Sequence, residues 1–242
     1  MPLIITQPYR NYGPPIIVSP PDQDYNYVGF LANMNGPEGS RTFTDTRGLT
    51  ITAFGTPTIS TEVTKFGESS AKFNGTSDYL VTDRAFLGIG SGSGTYECWF
   101  YCTDVSKPIA GILDMREPSI PSQEERLSID VRAGVLHFRR TSAYSSTELA
   151  RAIVQNNQWY HVAMSKEAGY LRCFVNGIRV GGSYSTPTNF GVTFALVIGQ
   201  GEVNRIADGY WPGYIDEVRI TQGRGRYVEN FAVPTAPFAN TK

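Results

Sequence analysis

The stretch Leu171-Arg172-Cys173-Phe174-Val175-Asn176-Gly177-Ile178-Arg179-Val180 places two alternating apolar runs on either side of an Asn-Gly pair. Asn-Gly accepts positive φ at both central positions of a type I′ turn, whose twist matches that of the flanking strands, so the segment reads as a tight β-hairpin. A hairpin is only marginally stable alone and needs further strands to cover its apolar face. The chain supplies them: residues 50–54, 71–73, 79–81, 95–101, 127–131 and 136–139 all alternate or are rich in β-branched and aromatic residues. Strand after strand with little helical pattern leaves a sandwich or a barrel. With 242 residues, 25 Gly, 14 Tyr and 13 Phe, the chain can bury a sizeable core as a single all-β domain. No internal repeat is present.

Residues 1–26 differ from the rest. Pro2, Pro8, Pro14, Pro15, Pro20 and Pro21 exclude a helix interior and favour an extended or polyproline path. Between them lie Ile4, Ile5, Tyr9, Tyr12, Ile16, Ile17 and Val18, more apolar and aromatic surface than a disordered linker carries. The segment therefore reads as an extended N-terminal arm that docks on a partner through those residues, or that packs back on its own sandwich. Residues 27–242 form the sandwich, closed by an irregular tail around Pro234, Pro237 and Phe238. In Tyr214-Ile215-Asp216-Glu217-Val218-Arg219-Ile220, Ile215 falls out of phase with Val218 and Ile220, and a β-bulge at Asp216 or Glu217 restores the phase.

The formal net charge is −1 and the basic residues are scattered, which argues against a nucleic-acid partner. No apolar run is long enough to insert in a membrane, and prolines stand where a signal peptide needs an unbroken apolar stretch. Cys98, Cys102 and Cys173 each sit in an apolar run. Cys98 and Cys102 would lie about 13 Å apart along one strand, too far for a disulfide. All three read as buried thiols of a reducing compartment.

Several segments, in order, resemble laminin-G/concanavalin-A-like modules: residues 65–80, Thr95 with Glu97 and Trp99, Trp159-Tyr160-His161-Val162-Ala163, Phe174-Val175-Asn176-Gly177, and Gly213 through Thr221 followed by Arg226-Tyr227 and Asn230-Phe231. The resemblance spans about residues 27–238 and implies a two-sheet antiparallel jelly-roll sandwich. Its closing segment, from Gly213 to Phe238, is similar to modules of tailed-bacteriophage virion proteins. That similarity implies a structural component such as a capsid decoration or a head or tail appendage, assembled in host cytoplasm and attached to other virion proteins. Members of the wider fold bind sugars, often with Ca²⁺, and others cleave glycans, so the fold leaves function open.

Glycosidases on this architecture need carboxylates facing one bond about 5–10 Å apart. The acids here (Asp216-Glu217, Glu124-Glu125, Asp114 with Glu117) show no such alternation on a single strand, and neither His137 nor His161 stands beside a nucleophile motif. No catalytic residue is assigned, and the chain reads as a non-enzyme. Asn74-Gly75-Thr76 reads as a turn, and Arg224 and Arg226 as partners of nearby acids.

Sugar recognition needs an aromatic face beside planar polar groups. The loops offer Tyr144, Tyr184, Asn189, Phe190, Arg205, Asp208, Tyr210 and Trp211; of these Tyr144, Tyr184, Arg205, Asp208, Tyr210 and Trp211 are the carbohydrate-binding candidates. Trp211 is either a rim platform or a lid over the core. No cofactor is required; Ca²⁺, if bound, would take Asp78 or Asp208. Two functions lead, a virion structural protein fastened by its arm and a lectin-like adsorption module gripping a host surface glycan, with a glycan hydrolase or lyase as the third and less favoured reading. Exposed sheet edges favour self-association into an oligomer or lattice.

Overall fold

The structure, a computed structural model, describes residues 21–82, 87–116, 126–141, 146–186, 189–190, 195–203 and 206–241. The alternating runs form two antiparallel sheets. The eight-stranded sheet runs β13 (Ile178–Ser185), β12 (Tyr170–Val175), β11 (Trp159–Glu167), β6 (Gly94–Cys102), β17 (Pro212–Gln222), β4 (Ser70–Asn74), β3 (Thr58–Ser60), with β1 (Val28–Ala32) also pairing β17. The seven-stranded sheet runs β10 (Ser146–Ile153), β9 (Val135–Thr141), β8 (Arg126–Arg132), β7 (Ala110–Arg116), β14 (Ala195–Ile198), β5 (Tyr79–Thr82), β2 (Ile51–Phe54). A separate hairpin joins β15 (Gln200–Val203) to β16 (Ile206–Tyr210). This is the expected jelly-roll sandwich.

Period-2 alternation sends one face of each strand into the core between the sheets. Cys98, Phe100, Val162, Met164, Ile215 and Ile220 from one sheet meet Ile129, Leu136, Phe138, Leu196 and Ile198 from the other. Burying each such side chain contributes about 1.5–3 kcal/mol. The three cysteines are free and buried, Cys98 and Cys173 with their thiols pushed far up by burial.

The Asn-Gly hairpin forms as expected, with φ of 48° at Asn176 and 76° at Gly177. Gly177 serves twice, because a Cβ there would collide with the carbonyl of Phe231, whose N–H donates to the Gly177 carbonyl at 2.9 Å. The bulge sits at Glu217, with φ of 53° and a register shift against β6 between Asp216 and Arg219. It lets Ile215 and Val218 both face inward.

From Gly223 to Thr241 the chain has no regular structure and crosses the outer face of the eight-stranded sheet. Tyr227 stacks on Phe231 at 3.6 Å, and both meet Phe174 of β12 edge-on. Residues 21–27 lie against the same face, through a 3₁₀ turn Tyr25–Tyr27 and an Asp22 carboxylate bonded to Arg219 and Arg226. The part of the arm from residue 21 to 26 thus packs back on the sandwich. The arm residues Ile4, Ile5, Tyr9, Tyr12, Ile16, Ile17 and Val18 lie outside the described residues.

Candidate functional site

The outer face of the seven-stranded sheet is built from the residues that alternate with its core. On β8, Leu127, Ile129 and Val131 point inward, leaving Arg126, Ser128, Asp130 and Arg132 outside. On β9, Leu136 and Phe138 point inward, leaving His137 and Arg139 outside. Strand register then brings these together: Asp114 pairs with Ser128, Ser128 with Arg139 and Arg139 with Glu148, while Asp130 pairs with His137 and His137 with Arg151. Arg132 Nε donates to Asp130 Oδ1 at 2.5 Å, Arg126 stands 3.8 Å from Asp114, and His137 Nδ1 lies 2.6 Å from Glu148 Oε2. Guanidinium beside carboxylate fixes the orientation of both and supplies planar donors and acceptors suited to hydroxyl groups.

At one end of this face stand three aromatic rings. Phe54 and Tyr79 are cross-strand partners, stacked at 4.7 Å with 5° between planes, and Tyr210 lies 6.2 Å from Tyr79. Phe54 is 41 % exposed. Tyr210 reaches this place because the β15–β16 hairpin crosses the sheet directly over Gly111, where a Cβ would run into the backbone of Gly201. Gly199 N–H donates to the Ile112 carbonyl at 3.0 Å and Trp211 N–H to the Gly199 carbonyl at 2.9 Å, pinning both ends of the hairpin.

The structure sorts the candidate residues. Tyr210 belongs to the aromatic cluster. Trp211 is a correction: it is fully buried and packs edge-on to Phe100 at 5.4 Å, so it is a lid over the core with no face for a sugar. Tyr184 lies on β13, at the far edge of the other sheet, packed partly against the core with its hydroxyl 3.4 Å from Gly182 N. Phe190 is buried beneath the Lys166 ammonium. Tyr144 and Arg205 lie outside the described residues, as does the side chain of Asp208. Asp78 is a second correction. It is buried, and its two oxygens accept from Thr56 N at 2.6 Å and Asn74 N at 3.0 Å, so it organises a turn and does not fit a Ca²⁺ site. Among the described residues no group of three or more His, Cys, Asp or Glu is placed to hold a metal, and no helix is long and apolar enough to cross a membrane.

The acids that stood closest to a catalytic pattern lie on the opposite side of the molecule. Asp216 and Glu217 flank the bulge and are both fully buried, Asp216 beneath the Lys65–Phe66 segment and Glu217 beneath the tail. Asp216 Oδ1 accepts from Glu217 N at 2.8 Å, and Glu217 Oε2 accepts from Phe238 N at 2.6 Å and Asn33 Nδ2 at 2.8 Å. Burial pushes Asp216 well above the usual carboxylate range and Glu217 up to about 7. Beside them Glu97 accepts from Arg219 Nε at 2.9 Å and Tyr227 Oη at 2.8 Å, with His161 Nε2 at 3.2 Å. Burial works against its charge, but Arg219, His161 and Arg226 together hold its carboxyl well below the ordinary range. These groups seat the tail, and Arg224 likewise pairs with Asp24 at 2.9 Å.

Residues 74–224 match the family described as the Concanavalin A-like lectin/glucanases superfamily, of laminin G type. The chain belongs to this family. No curated protein sequence matches the chain. Among solved structures, this lectin/glucanase-family domain is similar to the binding domain of botulinum neurotoxin serotype D/C, with a TM-score of 0.62 at 11 % identity, covering 85 % of this chain and 50 % of that one. A second toxin structure, the binding domain of botulinum neurotoxin DC in complex with SialylT, has a TM-score of 0.59 at 11 % identity over 84 % of this chain and 49 % of that one. Domain 4 of AbnA, a GH43 extracellular arabinanase from Geobacillus stearothermophilus in complex with arabinotriose, has a TM-score of 0.60 at 19 % identity over 82 % and 93 %. The chain thus spans about half the length of the toxin chains it matches. At these identities the likeness is one of fold.

Proposed function

We propose that the domain is a non-catalytic glycan-binding module and that the outer face of the seven-stranded sheet is its binding surface. The observation that carries this reading is the Phe54–Tyr79–Tyr210 cluster, with Phe54 exposed and both tyrosines partly open, at the end of a row of arginines, hydroxyls and the buried acids that hold them. An aromatic face takes the C–H side of a sugar ring, and the charged row reads its hydroxyls. Asp114 and Asp130 are buried and each faces an arginine, so they orient Arg126 and Arg132, whose partly open guanidiniums are the groups a ligand can reach. The lectin-like neighbours in complex with arabinotriose and with SialylT agree with this reading. Phe54→Ala combined with Tyr210→Ala is expected to lower affinity for the glycans bound on an array by about 10- to 100-fold, with an unchanged melting temperature. Undiminished binding would remove the site.

The module's place is, in our reading, a tailed-bacteriophage virion, where it decorates the capsid or forms part of a head or tail appendage. The closing segment from Gly213 to Phe238 supports it, and so does the Asp22 latch, which fastens the chain to the sandwich directly after the apolar arm segment in sequence. The arm then fastens the module to other virion proteins, and the module meets a host surface glycan. Deleting residues 1–20 is expected to abolish incorporation into particles while leaving glycan binding intact. Particles that still carry the truncated protein would refute the docking role.

A further inference from the structure

The outer face of the eight-stranded sheet is roofed only in part. Tyr227, Phe231 and Phe238 of the tail cover Phe174 and His161, and Phe66 with Lys65 covers Trp99. Two residues further along β6 and β11 the cover stops. There the register aligns Trp159 of β11 with Tyr101 of β6, Tyr101 with Tyr214 of β17, and Tyr214 with Lys72 of β4. The ring centroids stand 5.6 Å and 5.9 Å apart along this row. Trp159 and Tyr101 are partly open to solvent. At the far end Tyr214 Oη donates to Glu62 Oε2 at 2.7 Å, and the Lys72 ammonium bonds the same oxygen at 2.5 Å.

Trp159 and Tyr101 are the partly open members of this row, whereas Tyr214 is buried beside the Glu62–Lys72 pair, and the contacts between the two sheets are made by the inward neighbours Phe100, Cys102, Tyr160 and Ile215. We infer that Trp159, Tyr101 and Tyr214, with Glu62 and Lys72, form a second carbohydrate subsite, on the sheet opposite the proposed glycan face, that takes a neutral oligosaccharide lying across the strands. Trp159 and Tyr101 offer their open faces to sugar C–H groups, Tyr214 closes the row, and Glu62 and Lys72 accept from and donate to hydroxyls at its end. A row mixing rings with a hydrogen-bonded ion pair, and carrying no aliphatic side chain, suits a ligand that is itself half apolar and half hydroxyl. The ligand class rests on the proposed function; the site does not, since none of its residues touches the Phe54 cluster.

Tryptophan fluorescence reads this site directly, because Trp99 and Trp211 are buried at 4 % and 0 % exposure and Trp159 is the tryptophan open to quencher. The full chain is titrated with cellohexaose, xylohexaose and maltohexaose while acrylamide quenching is followed. At least one sugar is expected to shield Trp159, roughly halving the quenching constant. By calorimetry Trp159→Ala should weaken that sugar about tenfold, with Trp159→Phe retaining most of the affinity. The Phe54→Ala/Tyr210→Ala protein should keep the shielding, which separates this site from the other face. Sugar binding that leaves Trp159 as quenchable as before would overturn the subsite while sparing the first. Loss of quenching on raising protein concentration without sugar would assign the row to contact between copies and likewise overturn it. Absence of binding by every sugar, in both proteins, would end both readings.

Discussion

Replacing Arg219 with methionine is expected to cost about 3–5 kcal/mol of folding free energy, read as a lowered urea midpoint with little change in slope. Arg219 sits at the crossing of three contacts. Its Nε donates to Glu97 at 2.9 Å, its Nη1 to Asp22 at 3.1 Å, and its guanidinium lies 3.7 Å above the Phe238 ring. Glu97 is fully buried, so removing the arginine strands a carboxylate that cannot reach water. Arg226 stands 3.8 Å from the same carboxylate and cannot replace a bond made at 2.9 Å. If the cost is that of the stranded charge, Glu97→Leu combined with Arg219→Met should recover at least half of the loss, because a buried ion pair replaced by apolar groups is often close to neutral. A double variant as unstable as the single one would place the loss in the Asp22 and Phe238 contacts.

The same network explains why the family resemblance is legible in sequence while the binding faces are not. Glu97, His161, Arg219, Arg226 and Tyr227 come from four separate quoted motifs, and all meet on the outer face of the eight-stranded sheet. Each motif marks one corner of a single buried polar cluster. The hairpin at Asn176-Gly177 and the bulge at Glu217 were legible for a different reason: backbone sterics and the period of two act within a few residues.

Register between strands is not local, and both candidate faces depend on it. Asp114, Asp130, His137 and Glu148 lie on four different strands, so their row exists only once β7, β8, β9 and β10 are aligned. Phe54 and Tyr79 were visible as strand residues, but their stacking with Tyr210 depends on a hairpin folding over Gly111. Trp211 shows the converse limit. Its place between two strands allowed either a rim or a lid, and only packing against Phe100 decides for the lid.

At pH 8, Glu217→Gln is expected to make the protein about 2 kcal/mol more stable than the natural sequence, and at pH 4 about 1 kcal/mol less stable. Burial raises the Glu217 carboxyl from 4.5 to about 7 in the folded chain. Between these values the folded chain holds a proton that the unfolded chain has released, so the stabilisation is complete below about pH 4.5 and is lost as the pH rises through about 7. The full loss is about 3 kcal/mol. Gln cannot ionise, and its carbonyl oxygen can still accept from Asn33 and Phe238, which seats the tail as before. Its amide adds a buried donor, costing about 1 kcal/mol and leaving the smaller net gain. Asp216, also raised by burial, drives stability in the same direction, whereas Glu97, held low by its cations, loses its contribution only as the pH falls. Glu97 is common to the two proteins, whereas the Glu217 charge itself helps to push Asp216 up, so the difference between their stability curves, measured by denaturation from pH 4 to 8, reports Glu217 together with its coupling to Asp216. A difference independent of pH would mean that Glu217 is already ionised throughout the range, held so by Arg219 despite its burial.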